Sequence, residues 1–365
     1  MQTEARPRRR SPYQVWQEAE GVPIYRGSFI SDLYHLEVAP WARVGQRGAF
    51  VNLAEQEDDD AWVIEIAPGG ETETLHHLFE TTVYVLDGQG ATSFWQEDGQ
   101  KQTVEWQRGS VFSAPLNASY RHFNLDGQRP ARLFMVTNAP MLINMFRNPG
   151  FAFGDDYVFA QRYDGEVDYF SDPGHSIEKR LWKTNYIPDI RAFVLEDHSY
   201  RGEGDRSMRF KLANNQMECH VSEFPPGVYK KAHRHGPGAH VVILSGVGYS
   251  LVWFEGEEPR KVDWADGSVV SPKSMEYHQH FNTGQTPARY LALRLGALDA
   301  KTRAGGWYTP EELEGIPYEL EDPRIYAQYC DECARNGAEV VLDHPLVHPA
   351  TKLMDKPGSS LSSSS

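Results

Sequence analysis

GVYKKAHRHGPGAHVVILSG, residues 227–246, read together with GSVVSPKSMEYHQHFN, residues 267–282, decides how the rest of the chain reads. The first stretch puts His233, His235 and His240 in one short strand-turn-strand, and the second offers His278 from a later strand. In an extended chain, residues two apart point to the same face, so His233 and His235 can reach a common point. The turn GPGA folds His240 back towards them. Imidazole nitrogens suit Zn, Fe, Ni, Cu and Mn, and several of them converging in a half-buried place need something to offset their desolvation. A bound metal does so.

The glycines around these histidines carry a resemblance. Gly227 leads after five residues to His233-x-His235, and Gly267 leads after ten to His278 and then to Asn282. This pair of motifs resembles the cupin superfamily. His240 stands where most cupins have Glu, and Ser274 stands where the second motif has Gly. The steps around His240 and Pro272 differ by a residue from the common count. The His-for-Glu exchange resembles the four-histidine cupins, and the resemblance implies a site of His233, His235, His240 and His278 without a protein carboxylate.

Working outward, the chain repeats itself. EIAPG at 65–69 returns as EFPPG at 223–227, VYVLDG at 83–88 as VVILSG at 241–246, and VEWQRGS at 104–110 as VDWADGS at 262–268, all at an offset of 158 residues. His122-Phe-Asn124 and His280-Phe-Asn282 keep that offset. Within each copy, short alternating or apolar runs are punctuated by turn sequences such as GQG, EDGQ, GVG and EGEE, the pattern of small antiparallel barrels. The expected fold is all-β: two tandem cupin domains of jelly-roll β-barrel type, with a few helices at the linker and the C-terminus.

The expected boundaries are an N-terminal segment over 1–29, a first barrel over 30–145, a connection over 146–186 and a second barrel over 187–297. A helical extension over 298–355 and a disordered tail over 356–365 follow. The connection is aromatic enough to pack across both barrels. In the extension, Thr309-Pro310 and Asp322-Pro323 read as helix starts, and Gly337 as the stop of the second helix. Cys330-x-x-Cys333 falls inside that helix and reads as packing rather than a redox pair.

Superposing the copies by their offset tests where a metal can sit. Leu75, His77, Thr82 and Tyr120 fall opposite His233, His235, His240 and His278. Leu has no donor atom, and neutral hydroxyls offer a transition ion little. The first barrel is therefore expected to be metal-free and filled by side chains, with His76, His77, Glu80 and His122 as the residues able to form a degenerate site. His280 matches His122, which persists where the ligands are lost, so it is assigned to a supporting or proton-transfer role with Glu276 and Tyr277. His220 is another histidine able to look into the barrel. Tyr249, Leu251 and Trp253 alternate on one strand and are the expected substrate-pocket wall.

At 365 residues the chain has room for two domains. Its 36 basic against 51 acidic residues, net charge −15, argue against nucleic acid or an anionic membrane as partner, and a neutral or metal-bound small molecule is expected. No apolar run approaches the roughly 18 residues of a membrane helix, and three cysteines give no disulfide framework. A cytoplasmic protein, forming a homo-oligomer, is expected. One divalent transition metal per chain is expected, Fe(II) first, with Mn, Ni or Zn as alternatives. The bicupin layout resembles ring-cleaving cupin dioxygenases of the gentisate type, a family that usually keeps its metal in the first copy. That resemblance implies a dioxygenase acting on an oxygenated aromatic or enol-bearing small molecule. A redox-silent isomerase or lyase, and a non-catalytic binding cupin, are the other readings.

Overall fold

The computed structural model describes residues 10–96, 99–236, 238–296, 314–342 and 344–345. Each copy of the repeat folds into two facing sheets. In the first copy, an eight-stranded sheet stands over a three-stranded one made of Gln89–Trp95, Gln102–Gln107 and Ser119–Asn124. In the second, a nine-stranded sheet faces a five-stranded one. Both are jelly-roll barrels, and the fold is all-β with four α-helices among the described residues.

The turns of the repeat are set by glycine. Gly88 and Gly246 have φ of 91° and 90°, and a Cβ there would lie 2.8 Å and 2.7 Å from the Cα of Ala131 and Ala288. Only glycine allows that left-handed backbone and that approach without strain.

The large sheets of the two barrels pack face to face. Leu53, Val63, Phe134 and Val136 of the first join Phe210, Val221, Val242 and Leu291 of the second in one buried cluster. The barrels also exchange strands. Phe29–Ile30 pairs with Val269–Val270 of the second barrel, and Tyr186–Ile187 pairs with residues 111–112 of the first. The boundaries expected at 30 and 187 fall on these exchanged strands. The N-terminal segment also contributes: helix Pro12–Ala19 has a Ser11–Gln14 capping box, and Ile24–Gly27 adds an edge strand to the first barrel.

The connection bridges both barrels, as its aromatic content suggested. Phe170 stacks on Phe94 of the first, 4.8 Å between centroids, while Tyr169 packs with Ala213 of the second. Its later part is strand rather than coil: His175–Glu178 and Leu181–Thr184 extend the second barrel's large sheet. The C-terminal helix Pro323–Asn336 is capped by Asp322, which accepts from the Arg324 amide, and closes on Gly337 with φ 66°. It lies against the outer face of the second barrel with Cys333 buried. The helix start at Thr309 and the tail from 356 lie outside the described residues.

Candidate metal centre

Strand alternation decides what each barrel holds. In the second barrel, Met208, Phe210, Cys219, Val221, Leu291 and Leu293 point to the other barrel, so the intervening residues point inward: Arg209, His220, Ser222, Tyr290, Ala292 and Arg294. From the opposite sheet come His233, on strand Ala232–Arg234, and His235 just past its end; the strand pairs with Tyr277–Asn282 so that His233 lies directly across from His278. These three histidines each offer a ring nitrogen within 4.8 Å of the others, and they form the one such group among the described residues. His233 and His278 have ring centroids 4.0 Å apart, and His235 lies 5.0 Å from His278.

Their surroundings suit coordination. His278 Nδ1 lies 3.1 Å from the Glu276 carbonyl, which accepts its proton and leaves Nε2 as the free donor atom. Burial pulls the His278 imidazole down to about 4. His233 is held well below its ordinary range, first by burial and then by the Arg201 charge. Both are neutral at neutral pH, the form a metal requires. Arg201 donates to His233 Nε2 at 2.6 Å, a contact that must give way for His233 to bind an ion, since a neutral imidazole has one acceptor nitrogen, and Arg294 Nη1 lies 3.2 Å from His235 Nδ1.

His240 is not part of this group. It has the parity of Val242 and Leu244, which face the other barrel, whereas Ala239 and Val241 line the cavity. Its ring is fully buried between the barrels, with Nε2 3.2 Å from Asp59 Oδ1 of the first copy. The four-histidine expectation is corrected to three. The position that faces the cavity after His235 carries Ala239, which has no donor.

The expected pocket wall is corrected as well. Tyr249, Leu251 and Trp253 lie on the outer face of their strand, packed with Tyr318, Ile325 and Tyr329 of the C-terminal segment. Ser250 and Val252 hold the inward positions. Tyr277 is also outside, stacked on Trp253, and Glu276, whose carboxylate accepts from the Lys273 amide, is not among the residues that line the cavity. His280 does line it, with Nδ1 2.7 Å from the Ser250 hydroxyl, which also accepts from Trp264 Nε1. The same arrangement joins His122, Thr92 and Trp106 in the first copy. His220 lines the cavity too.

The first barrel is filled. Phe50, Trp62, Ile64, Phe79, Phe94 and Tyr120 form its core. His77 is spanned by the Phe79 carbonyl at 2.8 Å and the Tyr120 hydroxyl at 2.7 Å, and burial pulls it down to about 3. Glu80 pairs with Arg162 at 2.8 Å and accepts from the Gln216 and Met217 amides, so the residues of the degenerate alternative are dispersed.

The second barrel instead encloses a cavity of about 310 Å³. Its wall carries Arg180, Arg201, Arg209, Lys230 and Arg294, with Glu178 the one carboxylate among its described lining residues. Lys230 is held by Asp205, 2.7 Å away, and donates to the Ser222 and Tyr290 hydroxyls. A substrate pocket in this barrel was expected; its cationic wall was not, from an acidic chain. A signal for the cavity exists in the repeat, since Trp62 and Ile64 of the filled barrel stand opposite His220 and Ser222 at the 158-residue offset.

No family model matches the chain, and no curated protein matches it. Solved structures do. An oxalate decarboxylase variant from Bacillus subtilis aligns over 82% of each chain with a TM-score of 0.52 and 13% identity. The Lactobacillus farciminis oxalate decarboxylase formate complex aligns over 83% of this chain and 93% of that one, TM-score 0.52 and 11% identity. A further B. subtilis oxalate decarboxylase structure, from a study of its Mn(II) centres, aligns with TM-score 0.51 and 13% identity over 83% of this chain and 84% of that one. The likeness establishes the bicupin fold.

Proposed function

We propose that this bicupin is a metal-dependent enzyme in which His233, His235 and His278 hold one divalent transition ion, Mn(II) or Fe(II). The observation that carries the reading is the convergence of three imidazoles inside the cavity of one barrel, while the equivalent positions of the other are packed shut. Bound there, an ion with three protein nitrogens would supply Lewis acidity and open coordination positions for substrate and dioxygen. The reaction proposed is a dioxygenase-type cleavage of an oxygenated small molecule.

The protein's part is orientation and exclusion of water. Arg201 and Arg294 flank the histidines and favour negative charge there. The C-terminal helix covers the outer face of the ligand-bearing sheet. Tyr290 accepts from Lys230 at 3.1 Å, so its own proton is available to the cavity, next to His280. That proton donor supports a second reading, a redox-silent lyase.

Reconstitution under argon with Mn(II) or Fe(II), then metal analysis, tests the site. About one ion per chain is expected in the wild type, with loss in His278→Ala. Retention in that variant overturns the assignment. Oxygen consumption with candidate substrates marks the dioxygenase, and turnover without oxygen marks the lyase.

A further inference from the structure

We infer that the cavity takes a small molecule bearing two separated anionic oxygen groups, one at the three histidines between Arg201 and Arg294, the other at Arg209 and Arg180. The position of the first group rests on the metal-centre reading above; the second does not.

The cationic side chains fall into two sets along the cavity wall. Arg201 and Arg294 touch His233 and His235. Arg209 is two strands away from Arg294 in the same sheet, across Met217–Phe224, which is about 10 Å of sheet at the usual strand spacing. Its register partner is His220, and His220 pairs onward with Ala292. Ala292 and Ala239 line the cavity here together with His220.

Arg180 stands beside Arg209, accepting the Arg209 amide with its backbone carbonyl at 3.0 Å. Burial, with Arg180 and Arg294 nearby, pulls Arg209 down to about 10, the mark of a site that gains from an added anion. One carboxylate partner of Arg209, Glu178 at 2.9 Å, is 43% exposed, where pairing is screened by solvent. Guanidinium forks recognise carboxylate and phosphate alike. Oxalate, with its carboxylates joined directly, can engage one set at a time. A dianion with several bonds between its ends can engage both.

Calorimetric titration of the metal-free protein with acetate, oxalate, glutarate and 3-phosphonopropionate tests this. Glutarate or 3-phosphonopropionate should bind at least tenfold more tightly than acetate and oxalate, the tighter of the two identifying the second group as carboxylate or phosphate. Arg209→Gln should lose that advantage with acetate binding unchanged. Glu178→Gln should strengthen the long dianions severalfold, a gain that a misfolded variant does not produce. Oxalate binding as tightly as glutarate overturns the inference, as does glutarate binding unchanged in Arg209→Gln. Metal content of the same variants is measured separately: failure of the metal centre shows there, while long-dianion selectivity stands or falls in the titration.

Discussion

His240 and Ala239 differ by one position and by the whole of their surroundings. Ala239 is the fourth position after His235 and His240 the fifth, and the histidine is the better donor on paper. Packing decides otherwise: Val241 and Ile243 pack with Phe224, Trp264 and Ala292 inside the barrel, so His240 must face out, against Asp59. The Asp59 carboxylate also accepts from the Leu295 amide at 2.8 Å, tying the barrels together through two buried side chains. His240→Ala should therefore keep its metal and lose about 2–5 kcal/mol of stability, since it empties a fully buried ring site between the barrels. Metal analysis beside urea unfolding checks both halves. Loss of metal from a folded variant would restore His240 as a ligand.

At the scale of one strand, Gly248–Trp253 is buried at every residue, because the barrel interior covers one face and the C-terminal helix the other. Alternation separates Tyr249, Leu251 and Trp253 from Ser250 and Val252 but does not say which set looks inward. Tyr249 stacks on Phe281 with centroids 4.4 Å apart and planes within 6°, under Tyr329 and Cys333. Tyr249→Ala should cost about 3–5 kcal/mol by opening a cavity beneath the helix, with metal content unchanged. Denaturant unfolding and metal analysis together check this, and metal loss in the folded variant would place Tyr249 on the site side after all.

For the whole molecule, stability depends on how the N-terminal helix docks. Tyr13 and Gln17 both donate to Asp60 Oδ2, at 2.7 Å and 2.5 Å, in a fully buried place. Burial raises the Asp60 carboxyl to about 6, against hydrogen bonds that lower it. A folded-state value above the unfolded one means the native state binds more protons between about pH 4 and 6, so this group's contribution falls as pH rises through that window. Asp60→Asn should remove the dependence. The difference in unfolding free energy between the variants should move in favour of Asn by up to about 3 kcal/mol from pH 4 to pH 7, read from urea midpoints. A difference constant with pH would show that Asp60 binds protons no more tightly in the folded protein than in the unfolded chain.

The sequence by itself determined the repeat, the all-β class, the helix from Pro323 with its caps, and the histidines His233, His235 and His278, because each rests on local rules: turn glycines, two-residue alternation and capping. No helix among the described residues is long and apolar enough to cross a membrane, in line with the absence of an apolar run. What the tertiary structure alone decided is direction and neighbourhood. Whether a strand's odd or even residues face inward depends on what covers its other side, which for Tyr249 is a helix some eighty residues later in the chain and for His240 is the other barrel. The cationic cavity follows the same logic. Arg180, Arg201, Arg209 and Arg294 come from separate segments, and only the closure of the barrel brings their charges to one space.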